Sequence, residues 1–166
     1  RDLRETLAER RATGQAARKQ APRDVQGQWD AAARGHDALA TILAQNLIRV
    51  PELLPIRHGR MAASPWTYFR GAAAVMAADL ASRPHSSLRV QLCGDAHVLN
   101  FGLWATPERN LRFDLRDFDE NLPGPFEWDL LRLAASLVVA AREDGLKAGK
   151  ADEAVIAAGK AYRDRM

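Results

Sequence analysis

The spacing of apolar residues changes along this chain of 166 residues, and that change limits the possible folds more than any other feature. Helical spacing, with apolar residues three or four positions apart, covers residues 29–50, 65–82, 127–142 and about 151–165. Strand spacing covers residues 88–92, 101–104 and 111–115. The sequence therefore predicts an α+β fold in which short strands and a hairpin are packed by helices and preceded by helices.

Local signals predict where these elements begin and end. Ser64 followed by Pro65 has the form of an N-cap and a first helical residue, so a helix is expected to start there. Prolines at 51 and 55 predict an irregular segment over 51–61. The turn-rich residues 119–125 predict a loop before the helix at 127, and the strand at 88–92 is expected to be buried.

Composition excludes several classes of protein and leaves a soluble globular domain. A net charge of +3 comes from interspersed acidic and basic residues, which makes nucleic acid an unlikely partner. No apolar run approaches the roughly 20 residues that span a bilayer, so no membrane partner is expected and the predicted location is the cytoplasm. A single cysteine, Cys93, excludes an internal disulfide.

The chain divides into two parts by composition. Residues 1–28 are predicted to form a mobile basic arm that is at most marginally helical, and residues 29–166 the folded domain. Because the chain starts with Arg1 and stops at Met166 within a helical pattern, we expect a fragment of a longer protein.

Two dense polar clusters flank the predicted hairpin. Residues 93–100 (CGDAHVLN) follow the first strand, and residues 114–120 (DLRDFDE) follow the hairpin. Charged groups between apolar strands are costly to bury unless they are paired or bound to a metal, so these clusters predict a functional site. For Asp119 and Glu120 a plain solvated loop is the alternative.

The order and spacing of these residues resemble the catalytic segments of protein kinases. There an Asp precedes a metal-binding Asn by five residues, and a later Asp-Phe pair follows a hairpin. Asp95, Asn100 and Asp117 occupy the corresponding places. The resemblance implies that Asp95 orients an attacking hydroxyl, while Asn100 and Asp117 hold Mg²⁺ on the phosphates of ATP or another nucleotide. Asp119, two residues after Asp117, is a further candidate metal ligand.

The same segment resembles the aminoglycoside and choline phosphotransferase branch of the kinase-like fold. Its catalytic loop reads roughly His-Gly-Asp-x-His-x-x-Asn, which residues 93–100 match except at Cys93. The resemblance implies that His97 supports the loop and that Asp129, twelve residues after Asp117, braces it. A helix N-terminal capping role is the alternative for Asp129.

Longer blocks are similar to a bacterial family named domain of unknown function 2252. They are RHGRM at 57–61, SPWTYFRG at 64–71, VQLCGDAHVLNFG at 90–102 and FDLRDFDENLPGPFEWDLLRLAA at 113–135. The similarity covers the chain from about residue 48 to 166 and implies no established activity.

Two features of kinases are missing from the sequence. Before Asp95 the only lysine is Lys19, and no glycine-rich phosphate loop is present. Arg57, Arg60 and Arg70 are the available phosphate ligands, with Arg70 the best candidate, because guanidinium binds phosphate bidentately. Surface ion pairs are the alternative role for each.

Three functions remain open at this stage. The first is a partial kinase-like lobe that transfers phosphate from a nucleotide to an unknown small-molecule or protein acceptor. A non-catalytic kinase-like binding scaffold is the second, because the lysine and glycine loop are missing. A metal-dependent phosphoesterase ranks below both, since Asp95-Ala96-His97 has an Asp-x-His form but few other histidines accompany it. The sequence does not indicate an oligomeric state.

Overall fold

The computed structural model describes residues 5–166, so residues 1–4 of the predicted arm lie outside it. The expectation of a mixed α+β fold is confirmed. The helices are α1 (Leu7–Gln20), α2 (Arg23–Gln26), α3 (Ala38–Asn46), α4 (Leu54–Met61), α5 (Pro65–Gly71), α6 (Ala73–Ala81), α7 (Glu127–Glu143) and α8 (Ala148–Arg165). The strands are β1 (Arg89–Leu92), β2 (Phe101–Ala105), β3 (Leu111–Leu115) and β4 (Leu122–Pro125). Among residues 5–166, no helix is long and apolar enough to cross a membrane.

The predicted hairpin is confirmed as the antiparallel pair of β2 and β3. Phe101 lies opposite Leu115 and Ala105 opposite Leu111, so the intervening residues form the predicted loop. At the base of the hairpin, the N–H of Arg116 donates to the carbonyl oxygen of Asn100 at 2.7 Å. This pairing places the segment after β3 beside the residue that precedes β2.

The second sheet pairs β1 with β4, in a segment where the sequence predicted a loop. That prediction was wrong because proline and glycine in LPGP are typical of turns. The N–H of Phe126 donates to the carbonyl of Leu88, which fixes the alternation of bonded pairs along the two antiparallel strands. Pro123 and Pro125 fall at the non-bonded positions, where a missing N–H costs the ladder nothing.

The strand β1 was also predicted to be buried, and most of it is not. Only Leu92 is buried, while Val90 is 44% exposed. A run of apolar residues indicates a strand but does not say how many of its faces are covered.

Residues 51–61 were predicted to be irregular, and they are helical instead. A single 3-10 turn over Pro51–Leu53 leads directly into α4. Pro51 and Pro55 both lie in the first turn of their elements, where the N–H that proline lacks would have no partner inside the helix. The prolines therefore start helical segments here.

The helix predicted over 65–82 begins as expected but is broken. Ser64 is confirmed as the N-cap of α5: its hydroxyl accepts from the N–H of Thr67. At Ala72 the backbone leaves the helical region (φ −115°, ψ 35°), which separates α5 from α6. The break lets Ala72 and Val75 pack with Ile42 and Met61 in a small core between the helices.

The helix predicted over 29–50 is shorter than its pattern. A 3-10 turn covers Ala31–Ala33, and α3 begins only at Ala38, with the side chain of Asp37 capping it. Ile42 is the member of the predicted apolar stripe that is buried, whereas Leu39 and Leu47 are exposed. The helical spacing predicted over residues 29–50 therefore corresponds to an α-helix only in α3.

Within the predicted arm, residues 7–20 form helix α1 with a capping box at Thr6 and Glu9. The arm contacts the rest of the chain through Arg83. The guanidinium of Arg83 donates to the carbonyls of Val25, Gln26 and Gln28. Arg34 and His36, just beyond the arm, both contact the carboxylate of Asp79 on α6, at 2.8 and 2.7 Å.

Candidate functional site

One face of α7 holds the polar loop that follows β1. Asp129, in the first turn of α7, accepts two hydrogen bonds from that loop: its Oδ2 from the N–H of Cys93 at 2.7 Å, and its Oδ1 from the N–H of Gly94 at 3.1 Å. A carboxylate that receives two backbone donors is a strong anchor. Asp129 thus fixes the entry to the loop at the point where β1 ends.

The next contact along α7 involves Asp95 itself. Oδ1 of Asp95 accepts from the Nε–H of Arg132 at 2.6 Å, and Nη2 of the same guanidinium lies 2.5 Å from Oδ1 in the ion pair. Arg132 is only 3% exposed, whereas the side chain of Asp95 is 20% exposed. Oδ1 of Asp95 is therefore bound to a buried guanidinium.

Farther along α7, Ser136 fixes the exit of the loop. Its hydroxyl accepts from the N–H of Val98 at 2.9 Å and donates to the carbonyl of Leu133. Within the loop, the carbonyl of Asp95 accepts both the N–H of His97 at 2.8 Å and the amide Nδ2 of Asn100 at 2.7 Å. The backbone carbonyl of Asp95 thereby connects His97 and Asn100 within the loop.

His97 lies beneath the loop and is 4% exposed. Its Nε2 is 3.6 Å from Oδ2 of Asp95, and its ring packs edge-on against Trp66. Burial lowers the pKa of His97; the charge of Asp95 opposes this shift, and the positive charges of Arg70 and Arg132 reinforce it. Burial therefore favours the neutral imidazole of His97.

The second polar cluster lies against the same loop. Gly94 has φ +85°, and a Cβ at this position would lie 2.0 Å from the carbonyl oxygen of Glu120. The thiol of Cys93 is 3.9 Å from the carbonyl oxygen of Asp117. The backbone of residues 117–120 thus packs directly against the start of the loop that carries Asp95.

Asp117 and Asp119 lie on this second segment as exposed residues. Oδ1 of Asp117 accepts from the N–H of Asp119 at 3.1 Å, which forms a tight turn after β3. The turn brings the two aspartates together, and the pairing of Arg116 with Asn100 brings the segment next to Asn100.

Cys93 has no catalytic setting. It is 5% exposed, and burial together with the nearby charge of Asp129 raises the pKa of its thiol to about 11. At neutral pH it is an uncharged thiol, which packs as a small apolar side chain.

The arginines predicted to bind phosphate surround a separate feature, an open cleft of about 860 Å³. Arg60 and Arg70 both line it, together with Arg49 and Arg57 and an apolar wall that includes Ile48. Arg57 donates to the carbonyl of Gly71 at 2.6 Å, which uses part of its guanidinium for structure. Arg70 links the cleft to the loop, because its charge acts on His97.

A family model described as "Uncharacterized protein conserved in bacteria (DUF2252)" matches residues 49–166, which is more than half of the chain. The chain belongs to this bacterial family. Comparison with curated proteins found no match, and neither did comparison with solved structures. The predicted family is thereby confirmed, and the residues around Asp95, the second polar cluster and the predicted phosphate ligands all lie within the matched range.

Arg132 and Ser136 belong to the site of this DUF2252 member, although the sequence did not single them out. They lie three and seven residues after Asp129, which places all three on one face of α7. The sequence signal for them is that a charged residue and a hydroxyl residue interrupt the apolar stripe of a long helix. Such residues are buried only when they have partners, so this pattern could have identified them.

Magnesium and a nucleotide are the cofactors that the kinase resemblance implies for this DUF2252 chain. Asn100 places its amide nitrogen on the carbonyl of Asp95, which turns its oxygen the other way, and Asp117 supplies an exposed carboxylate. Within residues 5–166, no three His, Cys, Asp or Glu side chains gather as a metal site. Mg²⁺ commonly takes one or two protein oxygens and completes its shell with phosphate and water, so this donor set suits it.

Proposed function

We propose that the chain carries the catalytic loop of a nucleotide- and Mg²⁺-dependent phosphotransferase, in a partial lobe of the protein-kinase-like type. The observation that carries the proposal is the braced loop from Cys93 to Asn100, in which Arg132 holds Oδ1 of Asp95 and Oδ2 lies beyond hydrogen-bond length of His97. The contact between Gly94 and Glu120 supports it, because it joins this loop to the segment with Asp117.

Each residue has one task in this proposal. Asp95 accepts a hydrogen bond from the attacking hydroxyl and orients it, and His97 supports Asp95 from below. Asn100 and Asp117 would hold Mg²⁺, which supplies neutralisation of the phosphate charge, and Asp119 shapes the turn that carries Asp117. Arg60 and Arg70 bind nucleotide phosphate, in place of the lysine that kinases carry on a strand.

A non-catalytic binding scaffold is the second candidate. The ion pair of Asp95 with the buried Arg132 favours it, since one oxygen of this carboxylate is already used in a structural contact. Both functions share nucleotide binding and differ in turnover.

Titration of the full chain with MgATP, followed by calorimetry, tests the proposal. We expect saturable binding that requires Mg²⁺ and that weakens by about tenfold or more in Asp117→Asn, because a metal ligand is removed. The matched control is Asp144→Asn, an aspartate at the opposite end of α7. Absence of binding, or equal binding by Asp117→Asn and the wild type, would contradict the proposal.

Turnover separates the two candidates. Asp95→Asn is expected to retain MgATP binding and to lose most of the release of ADP, measured with water as the acceptor. If the wild type binds MgATP but Asp95→Asn leaves every measured function intact, the protein is a non-catalytic binding scaffold.

A further inference from the structure

We propose that Arg132 is a positioning residue for Asp95: by binding Oδ1 from the buried side, it fixes the carboxylate so that Oδ2 is the oxygen presented to the acceptor. The identity of that acceptor rests on the proposed function. The orientation of the carboxylate stands on the geometry alone.

The hydrogen-bond pattern at Asp95 assigns different tasks to its two oxygens. The Nε–H of Arg132 donates to Oδ1 at 2.6 Å, and Nη2 lies 2.5 Å from the same oxygen, so Oδ1 is the oxygen held by the positive charge. Oδ2 has the Nε2 of His97 as a neighbour at 3.6 Å, which is beyond hydrogen-bond length. Oδ2 is thus the carboxylate oxygen available to a further donor.

The guanidinium of Arg132 is itself held in place by the two preceding helices. Nη2 donates to the carbonyl of Phe69 at the end of α5, at 2.9 Å, and Nη1 lies 3.6 Å from the sulfur of Met76 on α6. The guanidinium carbon lies 4.3 Å from the centre of the Phe69 ring. Rotating the Asp95 carboxylate would therefore require breaking contacts to three helices.

A lysine at position 132 could not do the same. The planar guanidinium fixes the direction of its Nε–H toward Oδ1, whereas an ammonium group on a flexible stem sets only a distance. Arg132→Lys preserves the buried charge and removes the orientation, which makes it the informative variant.

The orientation can be tested by NMR of the full chain with ¹⁵N-labelled arginine. We expect the Nε–H of Arg132 to give a downfield signal that exchanges slowly with water, because it is buried and donates to a carboxylate. In Asp95→Asn the signal should move upfield, whereas in Asp144→Asn it should stay in place. A signal that exchanges rapidly in the folded wild type, or one that ignores Asp95→Asn, would overturn the inference.

The role of Arg132 in turnover is tested by measuring the release of ADP from MgATP. Arg132→Lys is expected to lower kcat by about 100-fold, the effect of misplacing a reacting group by about 1 Å, while KM for MgATP changes little. Arg142→Lys, an exposed arginine on the same helix, is the control. Methylguanidinium added to Arg132→Ala should restore part of the rate.

The outcomes distinguish this inference from the proposed function. A folded Arg132→Lys variant with wild-type kcat contradicts the positioning role even if MgATP turnover is confirmed. If the wild type neither binds nor turns over MgATP, the proposed function fails, and the Nε–H signal alone then decides whether Arg132 orients Asp95.

Discussion

Gly94 lies directly against the carbonyl oxygen of Glu120, with no room for even a methyl group between them. Its backbone also adopts φ +85°, which side chains with a Cβ rarely tolerate. Two independent constraints therefore require glycine here, and together they join the two polar segments of the candidate site.

Gly94→Ala is expected to lower the free energy of unfolding by about 3 kcal/mol, because backbone strain and a backbone clash combine. Urea denaturation measures this change. Gly145→Ala is the matched control: Gly145 has φ +69° but nothing within 4 Å of a Cβ, so the cost should be only about 1 kcal/mol. Equal losses in the two variants would show that the contact with Glu120 is unimportant.

Asp129→Asn is expected to destabilise the fold by about 2 kcal/mol, since one of the two backbone donors at Cys93 and Gly94 would face an amide nitrogen. Hydrogen exchange should also become faster at these two N–H groups. Asp144→Asn, at the C-terminal end of the same helix, should change stability by less than about 0.5 kcal/mol. Unchanged protection of the loop in Asp129→Asn would exclude a bracing role.

Glu127→Gln is expected to cost about 2 kcal/mol for a different reason. Glu127 is buried, and its two oxygens accept the N–H and the hydroxyl of Ser86, at 2.5 and 2.9 Å. A glutamine that keeps its oxygen on the N–H of Ser86 must turn its NH₂ toward the hydroxyl, which then has to accept, so both charge-assisted bonds are lost. Glu143→Gln, exposed at the far end of α7, serves as the control in thermal unfolding. Equal midpoints for the two variants would refute the pairing.

Cys93 is expected to resist thiol reagents in the folded protein. With a pKa of about 11, only about one molecule in a thousand carries the reactive thiolate at pH 8, and burial hinders the reagent further. Reaction with a chromogenic disulfide should be slow in buffer and complete within minutes in guanidinium chloride. A fast native reaction would identify Cys93 as an accessible thiol.

The raised pKa of Cys93 also predicts how stability changes with pH. The folded state keeps the thiol proton up to about pH 11, whereas a thiol exposed in the unfolded chain loses it near 9.0, so the folded state binds more protons between these values. Stability must therefore fall as pH rises through this window and is fully retained below it. Cys93→Ala removes this contribution, so the wild type should lose more stability than the variant between pH 9 and 11. Parallel curves would contradict the assignment.

Local signals in the sequence predicted those parts of the fold that local chemistry determines. Ser64 caps a helix because its hydroxyl reaches the N–H of Thr67, an interaction within four residues. The hairpin of β2 and β3 follows from alternating apolar residues around a short polar loop. The joint role of Asp95, Asn100 and Asp117 stays a prediction, although the backbone around Asp117 does lie against the start of the loop that carries Asp95.

What the sequence did not predict depends on partners far along the chain. LPGP becomes β4 only because β1 lies alongside it, more than thirty residues earlier in the sequence. The role of Arg132 depends on its hydrogen bonds to Asp95, 37 positions away, and to Phe69. Pro55 misled in another way, since the same residue that breaks a helix interior is well placed in a first turn.

The two prolines of β4 also limit which strands can pair with the sheet formed by β1 and β4. Their ring nitrogens occupy the backbone positions that face away from β1, so the outer edge of β4 offers no N–H donor, and the carbonyl of Pro123 on that edge already accepts from the guanidinium of Arg89. A further strand from another molecule would find most of its hydrogen-bonding groups without partners there. Pairing of copies through this edge is thereby discouraged.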